Sequence, residues 1–392
     1  MKNIEKNHSE SKSIFYWSAL DGLRFFAFLL VFLNHSLVDI ETKNPFLDFF
    51  LKSYVRNGWI GVDLFFVLSG FLITSILVKE RIKFGQFSLR SFWIRRILRI
   101  WPLYYLAILV FFFVIPGLTF FFDQLRNQNF ILTRNSYLEL PFYITFLGNL
   151  GTILFGYGTN SINLLWTVSL EQQFYLIFPL FLKFMGRRVQ SVLLLVIGII
   201  AISPLVRIVF SFAPAGMYPQ LIYVNLFTRM DTLLFGGLLS LLFFYKTRLL
   251  SKYKFLSNFL IFVCIVSTFS YFLYRVELFN PAFKRNLAFG YTVIAAFMAY
   301  LIYCAMYSEA FGKFLSFKPF VYLGKISYGL YIWQYLAINI TLLFLGTKNF
   351  SFAVCFWAFV LDVSIASFSY YLFERRFLKI KSRFERIKTK EA

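Results

Sequence analysis

The sequence predicts an all-α, polytopic membrane helical bundle of about ten transmembrane helices, with the N- and C-termini both on the inner side. Three observations carry this. Hydrophobic residues make up 59% of the 392-residue chain and charged ones only 15%, where soluble domains carry about 25% charged residues. Mean hydropathy is +0.69. The 40 Lys and Arg residues, against 18 Asp and Glu, sit mostly in short segments between long apolar runs. Together these exclude a water-soluble globule, a disordered chain and a disulfide-rich secreted module. They also favour membrane orientation over nucleic-acid binding, which needs a solvated basic surface.

A span needs roughly 20 mostly apolar residues, and ten stretches qualify in order: 20–38, 58–78, 101–122, 162–182, 190–210, 221–245, 255–274, 287–307, 320–345 and 351–373. The polar segment before the first has no signal-peptide layout, because the apolar run that follows is of full span length and lacks a small-residue cleavage site. With the N-terminus inside, 27 Lys and Arg fall in inner segments and 9 in outer loops, the asymmetry of the positive-inside rule. A further span at 142–158 would reverse that asymmetry downstream. This Gly-rich stretch is therefore read as interfacial or re-entrant, within an outer loop from about 123 to 161. Residues 1–17 read as a polar cytoplasmic tail and 18–378 as the membrane domain. Residues 379–392 read as a basic cytoplasmic tail resting on anionic headgroups. No appended soluble domain is expected. Cys264, Cys304 and Cys355 lie far apart in apolar stretches and have no metal-ligand spacing, so they read as core residues with no metal site.

Ionisable groups inside a bilayer are costly and are functional candidates by default. The spans hold Arg24, Arg207, Arg229, Lys325, Asp63, Glu171, Asp231, Asp362 and His35. Arg229 with Asp231, and Asp362, are either mutually neutralising helix glue or parts of a site. Arg207 and Lys325, near span ends, are open to snorkelling. Arg24 and His35 are 11 residues apart, which at about 100° each brings them to nearly one helix face, roughly 16 Å apart along the axis. His35 is either a satisfied core histidine or a general base. Asp63 in GVDLFFVLSGF falls at similar depth in the next span, and is expected to take the second imidazole nitrogen as in hydrolase triads. Arg96 and Arg99 share a helix face and read either as inner topology anchors or, with Arg24, as a basic mouth that clamps phosphates. In LWTVSLEQQFYLIFP, mid-span Glu171 must be paired, protonated or hydrated; Ser169 and Tyr175 lie beside it in sequence.

Taken together, LDGLRFFAFLLVFLNHS, GVDLFFVLSGFLIT, RRILRIWPLYY, LWTVSLEQQFYLIFPL and LGKISYGLYIWQ resemble, in order, the signatures of the acyltransferase-3 family of integral-membrane O-acyltransferases (the O-antigen and exopolysaccharide O-acetylases among them). The resemblance runs from about 18 to 378. It implies transfer of an acyl group, commonly acetyl from acetyl-CoA as co-substrate, to a hydroxyl of a cell-envelope glycan, lipid or related acceptor at the plasma membrane, with no permanently bound cofactor. His35 then corresponds to the catalytic histidine, Arg24 to its companion, and Arg96 with Arg99 to the paired-Arg donor motif. Ser169, Tyr175, Arg229 and Asp231 are expected to support the site. Two positions depart from the family: Gln334 stands where relatives often have His, and Gln172 where many have a second Glu, leaving Glu171 as the motif's carboxylate. Many relatives also carry an extracytoplasmic domain. The competing readings are a glycan or lipid transporter or flippase, which paired broken helices would favour, and a non-catalytic membrane scaffold.

Overall fold

The computed structural model describes residues 16–37, 40, 42–121, 134–157, 160–184, 189–213, 217–245 and 284–387. Among these the structure is helical. The helices used below are α1 Ser18–Leu37, α2 Ile60–Phe84, α3 Leu89–Leu109, α4 Arg134–Ile144, α5 Gly148–Phe155, α6 Leu165–Phe184, α7 Val189–Phe210, α8 Leu226–Phe244, α9 Lys284–Tyr307, α10 Lys318–Lys325, α11 Ser327–Phe344, α12 Phe352–Ser369 and α13 Arg375–Lys381.

Seven helical segments among the described residues are long and apolar enough to cross a membrane: Ser18–Leu37, Pro45–Phe84, Leu89–Leu118, Val189–Phe210, Gln220–Phe244, Ala288–Tyr307 and Phe352–Phe384. Each matches an expected span. The expected spans 162–182 and 320–345 correspond to α6 and to α10 plus α11, which break at Ile326. These helices fall outside the seven because Glu171, Gln172 and Gln173 in one, and Gln334 and Asn339 in the other, lower their hydropathy. The expected span 255–274 lies outside the described residues. Large apolar side chains face outward, such as Leu194 at 71% and Val209 at 65% exposure on α7, as lipid-facing residues do. In and before the stretch 142–157 the described chain forms the 11-residue α4 and the 8-residue α5, each well short of the roughly 20 residues a span requires.

Local chemistry sets the helix limits. Ser88 caps α3 by accepting from Ser91 N, Asn225 caps α8 through Phe227 N, and Ser351 caps α12 through Val354 N. Gly85, with φ +73°, ends α2. A close crossing joins α2 to α8, and it is reciprocal. A Cβ at Gly70 would collide with the Leu233 carbonyl, and one at Gly236 with the Val67 carbonyl, so small residues let the two backbones meet. Gly324 does the same for α10 against the Asp21 carbonyl of α1.

The intramembrane charges pair across helices rather than with sequence neighbours. Arg229 on α8 donates to Asp63 Oδ1 on α2 at 2.7 Å, and both side chains are fully buried. Arg207 on α7 donates to Asp231 Oδ2 on α8 at 2.6 Å and to Thr292 on α9 at 2.5 Å. This overturns the expected Arg229–Asp231 pair. Residues two apart on a helix face nearly opposite directions, so the two acids serve different neighbours. Arg207 does not snorkel, because its side chain is fully buried in this pair. Asp362 is buried with no partner for either oxygen among the described residues, so mutual neutralisation does not account for it.

Candidate functional site

Two contiguous cavities open between α1, α2, α3, α6 and α11. The wider, about 130 Å³, is lined by Arg24, Lys79, Arg95, Arg96, Arg99 and Lys325, among others. The deeper, about 110 Å³, shares Arg24, Arg96 and Arg99 with it and continues past Ser69, Glu171, Tyr175 and Tyr331. Arg24 of α1 and Arg96 and Arg99 of α3, the basic mouth expected from the sequence, thus converge on both cavities. Arg24 is held by Asp21 Oδ1, one helix turn away, at 2.8 Å. The Arg96 guanidinium lies between the rings of Phe92 and Tyr175, at 5.7 and 5.8 Å, an arrangement that fixes a planar cation. Lys325 lines the mouth beside Tyr16 instead of snorkelling.

Glu171 ends the basic stretch. Its Oε1 accepts from Ser69 Oγ at 2.6 Å and its Oε2 from Tyr175 Oη at 2.8 Å. Gln172 turns to the other side of α6, where its Oε1 accepts from Trp101 Nε1 at 3.2 Å. Glu171 is therefore the cavity carboxylate of the pair. Ser69, Tyr328 and Tyr331 are cavity residues that the motif reading did not single out.

His35 lines neither cavity. Its Nδ1 is 3.1 Å from Gln334 Oε1, and its ring stacks on Tyr335 at 4.6 Å. Gln334 is one helix turn from Tyr331, whose hydroxyl accepts from Thr167 at 3.2 Å in the cavity wall.

Three expected placements do not hold. Asp63 does not bond the imidazole. Similar depth does not make two side chains face each other, and the Asp63 carboxylate turns to Arg229, which would otherwise be a buried cation without a counterion. Arg229 and Asp231 belong to the two ion pairs on α8, outside the cavities. Ser169 joins helices: it accepts from Gly148 N at 3.2 Å and donates to the Leu165 carbonyl at 3.1 Å, docking α5 on α6. The expected basic tail also behaves differently from 379 to 387. Arg95 donates to the Phe384 carbonyl at 2.8 Å, and Lys381, Glu385 and Ile387 wall the wider cavity. This segment folds onto the bundle because Arg95 and Glu80, a buried pair at 2.6 Å, give it a polar anchor.

The model of the acyltransferase-3 family, described as an acyltransferase domain, matches residues 17–371. A peptidoglycan O-acetyltransferase of Listeria monocytogenes is 32% identical over 347 residues, covering 83% of this chain and 50% of the relative. A putative peptidoglycan O-acetyltransferase of Bacillus subtilis is 31% identical over 378 residues, covering 92% and 54%. A putative O-acetyltransferase of Staphylococcus aureus is 26% identical over 389 residues, covering 96% and 60%. The chain thus spans about half the length of the curated relatives it matches. No solved structure matches it.

Proposed function

The chain belongs to the acyltransferase-3 family of multi-pass plasma-membrane proteins, and from that premise we propose that it is an O-acyltransferase that moves an acyl group, most simply acetyl, from cytoplasmic acyl-CoA to a hydroxyl of a cell-envelope glycan. A lipid or related envelope acceptor is chemically equivalent. The names of the relatives favour a peptidoglycan-like glycan. The observation that carries the reading is the cavity that runs from three arginines to Glu171 and stops one helix turn short of the Gln334–His35 contact. Phosphates of the donor sit among Arg24, Arg96 and Arg99, which suit them by charge and planar fork geometry. The arm passes Ser69, Glu171 and Tyr175, and the thioester reaches His35.

In the transfer, His35 Nε2 takes the proton of the acceptor hydroxyl as its oxygen attacks the thioester carbonyl carbon. The tetrahedral intermediate collapses by breaking the C–S bond, and the departing thiolate takes the proton from the imidazolium. The products are an ester and free CoA thiol. No acyl-enzyme is required. Glu171 and Tyr175 shape the passage between donor and base. The test is acetyl-CoA consumption by purified protein, with ester formation followed on added glycan. Transport of the glycan with no thioester cleavage would favour the carrier reading instead.

The donor end makes its own prediction. Replacing Arg96 and Arg99 together by Gln should weaken CoA binding by about 100-fold or more, since each charged hydrogen bond contributes about 1.5–3 kcal/mol. Lys at both positions should restore only part of it. Calorimetric titration of the purified protein with CoA measures this, and unchanged affinity would leave both arginines as topology anchors.

The ten-span arrangement with both termini inside belongs to the same proposal and rests on the 27-to-9 distribution of basic residues. Reporter fusions after residue 88 and at the C-terminus should report the cytoplasm, and one near residue 135 the outside. A cytoplasmic signal at 135 would overturn it.

A further inference from the structure

His35 meets the protein through one ring nitrogen. Its Nδ1 lies against Gln334 Oε1 at 3.1 Å, and Nε2 has no hydrogen bond among the described residues. The Gln334 amide is itself fixed from behind, because its Nε2 donates to the Tyr331 carbonyl at 2.9 Å. A carbonyl only accepts, so the amide nitrogen must face Tyr331 and the amide oxygen must face the imidazole. That oxygen also only accepts. Nδ1 therefore carries the proton, and the Nε2 lone pair is left for a substrate. Gln334 is fully buried, and the Tyr335 ring stacked at 26° on the imidazole opposes a ring flip.

We infer that Gln334 is a positioning residue for acyl transfer: it locks His35 in the Nδ1–H tautomer and presents Nε2 as the base. The role in catalysis rests on His35 being the base, whereas the tautomer itself does not. In a hydrolase triad a carboxylate holds this position and also stabilises the imidazolium. Here a neutral amide supplies orientation without charge. Among the described residues no charged side chain makes a hydrogen bond or ion pair with the ring. The titratable group packed on it is Tyr335, stacked from α11; on α12, Cys355 accepts from the hydroxyl of Ser36, the next residue along α1, at 3.2 Å.

The chain has only two histidines, His8 and His35, which makes the tautomer directly readable. In protein labelled with ¹⁵N-histidine, with His8→Ala to clear the spectrum, neutral His35 should show a protonated Nδ1 and a bare Nε2. The opposite tautomer would overturn the inference whatever the reaction proves to be. Kinetics with acetyl-CoA test the consequence. Gln334→Ala should lower kcat about tenfold, the weight of one neutral hydrogen bond, with KM for acetyl-CoA unchanged. Gln334→Glu, nearly isosteric, should retain most of kcat. Its carboxylate favours the imidazolium, so the base stays protonated to higher pH and the acid limb of the pH–rate profile should move up. Parental kcat in Gln334→Ala, or an unmoved limb in Gln334→Glu, would overturn the positioning role. Full activity in His35→Ala would instead overturn the base reading on which that role rests.

Discussion

His35→Ala should abolish acyl transfer while leaving CoA binding at the arginine mouth largely intact. The two proposed roles are separated in space. Arg24 and His35 are 11 residues apart on α1, roughly 16 Å along the axis, and only Arg24 lines the cavities. No second imidazole exists within the spans, because His8 lies in the polar N-terminal segment, outside the described residues. General-base assistance is typically worth about 10²–10⁴-fold, so the loss should be at least in that range, and His8→Ala should change nothing. The measurement is single-turnover transfer from acetyl-CoA, with calorimetry as the control for donor binding. A folded His35→Ala protein that acylates at the parental rate would shift the base to Glu171 or restore the transporter reading.

What the sequence made legible was the part of the site set by helix periodicity. Arg24 and His35 on one face, Arg96 and Arg99 one turn apart, and a mid-span Glu171 are all local spacings, and the arginines and Glu171 do converge. Charge balance and glycine content argued against a span at 142–158, and the described chain there holds two short helices. Contacts between distant helices were not legible. Arg229 and Asp63 are separated by 166 positions, and His35 and Gln334 by 299. Spacing along one helix could be read from the sequence, but rotation of one helix against another could not. The reciprocal close approach of Gly70 and Gly236 on α2 and α8 helps set that rotation for Asp63. Gln334 drew notice only as a departure from the family pattern. Its contact with His35 shows that an amide can occupy the orienting position that the sequence reading assigned to Asp63.

That reassignment makes Asp63→Asn a test of stability before it is a test of catalysis. Asp63 and Arg229 are both fully inaccessible, and the carboxylate is the charge partner of a guanidinium whose other nitrogens have no hydrogen bond among the described residues. The rings of Tyr291, Tyr223 and Phe66, at 4.3, 5.5 and 5.7 Å, give the cation partial compensation but no countercharge. Removing one partner of a buried pair costs about 3–5 kcal/mol, while replacing both with apolar groups is often neutral. Asp63→Asn should therefore lower the unfolding midpoint of the purified protein strongly. Asp63→Asn combined with Arg229→Met should recover much of the loss, together with activity. If Asp63 instead stabilised an imidazolium, the double variant would be stable and still inactive. Thermal unfolding and transfer assays on the two variants separate these outcomes: a stable but inactive Asp63→Asn protein would return Asp63 to the side of His35, against the geometry seen here.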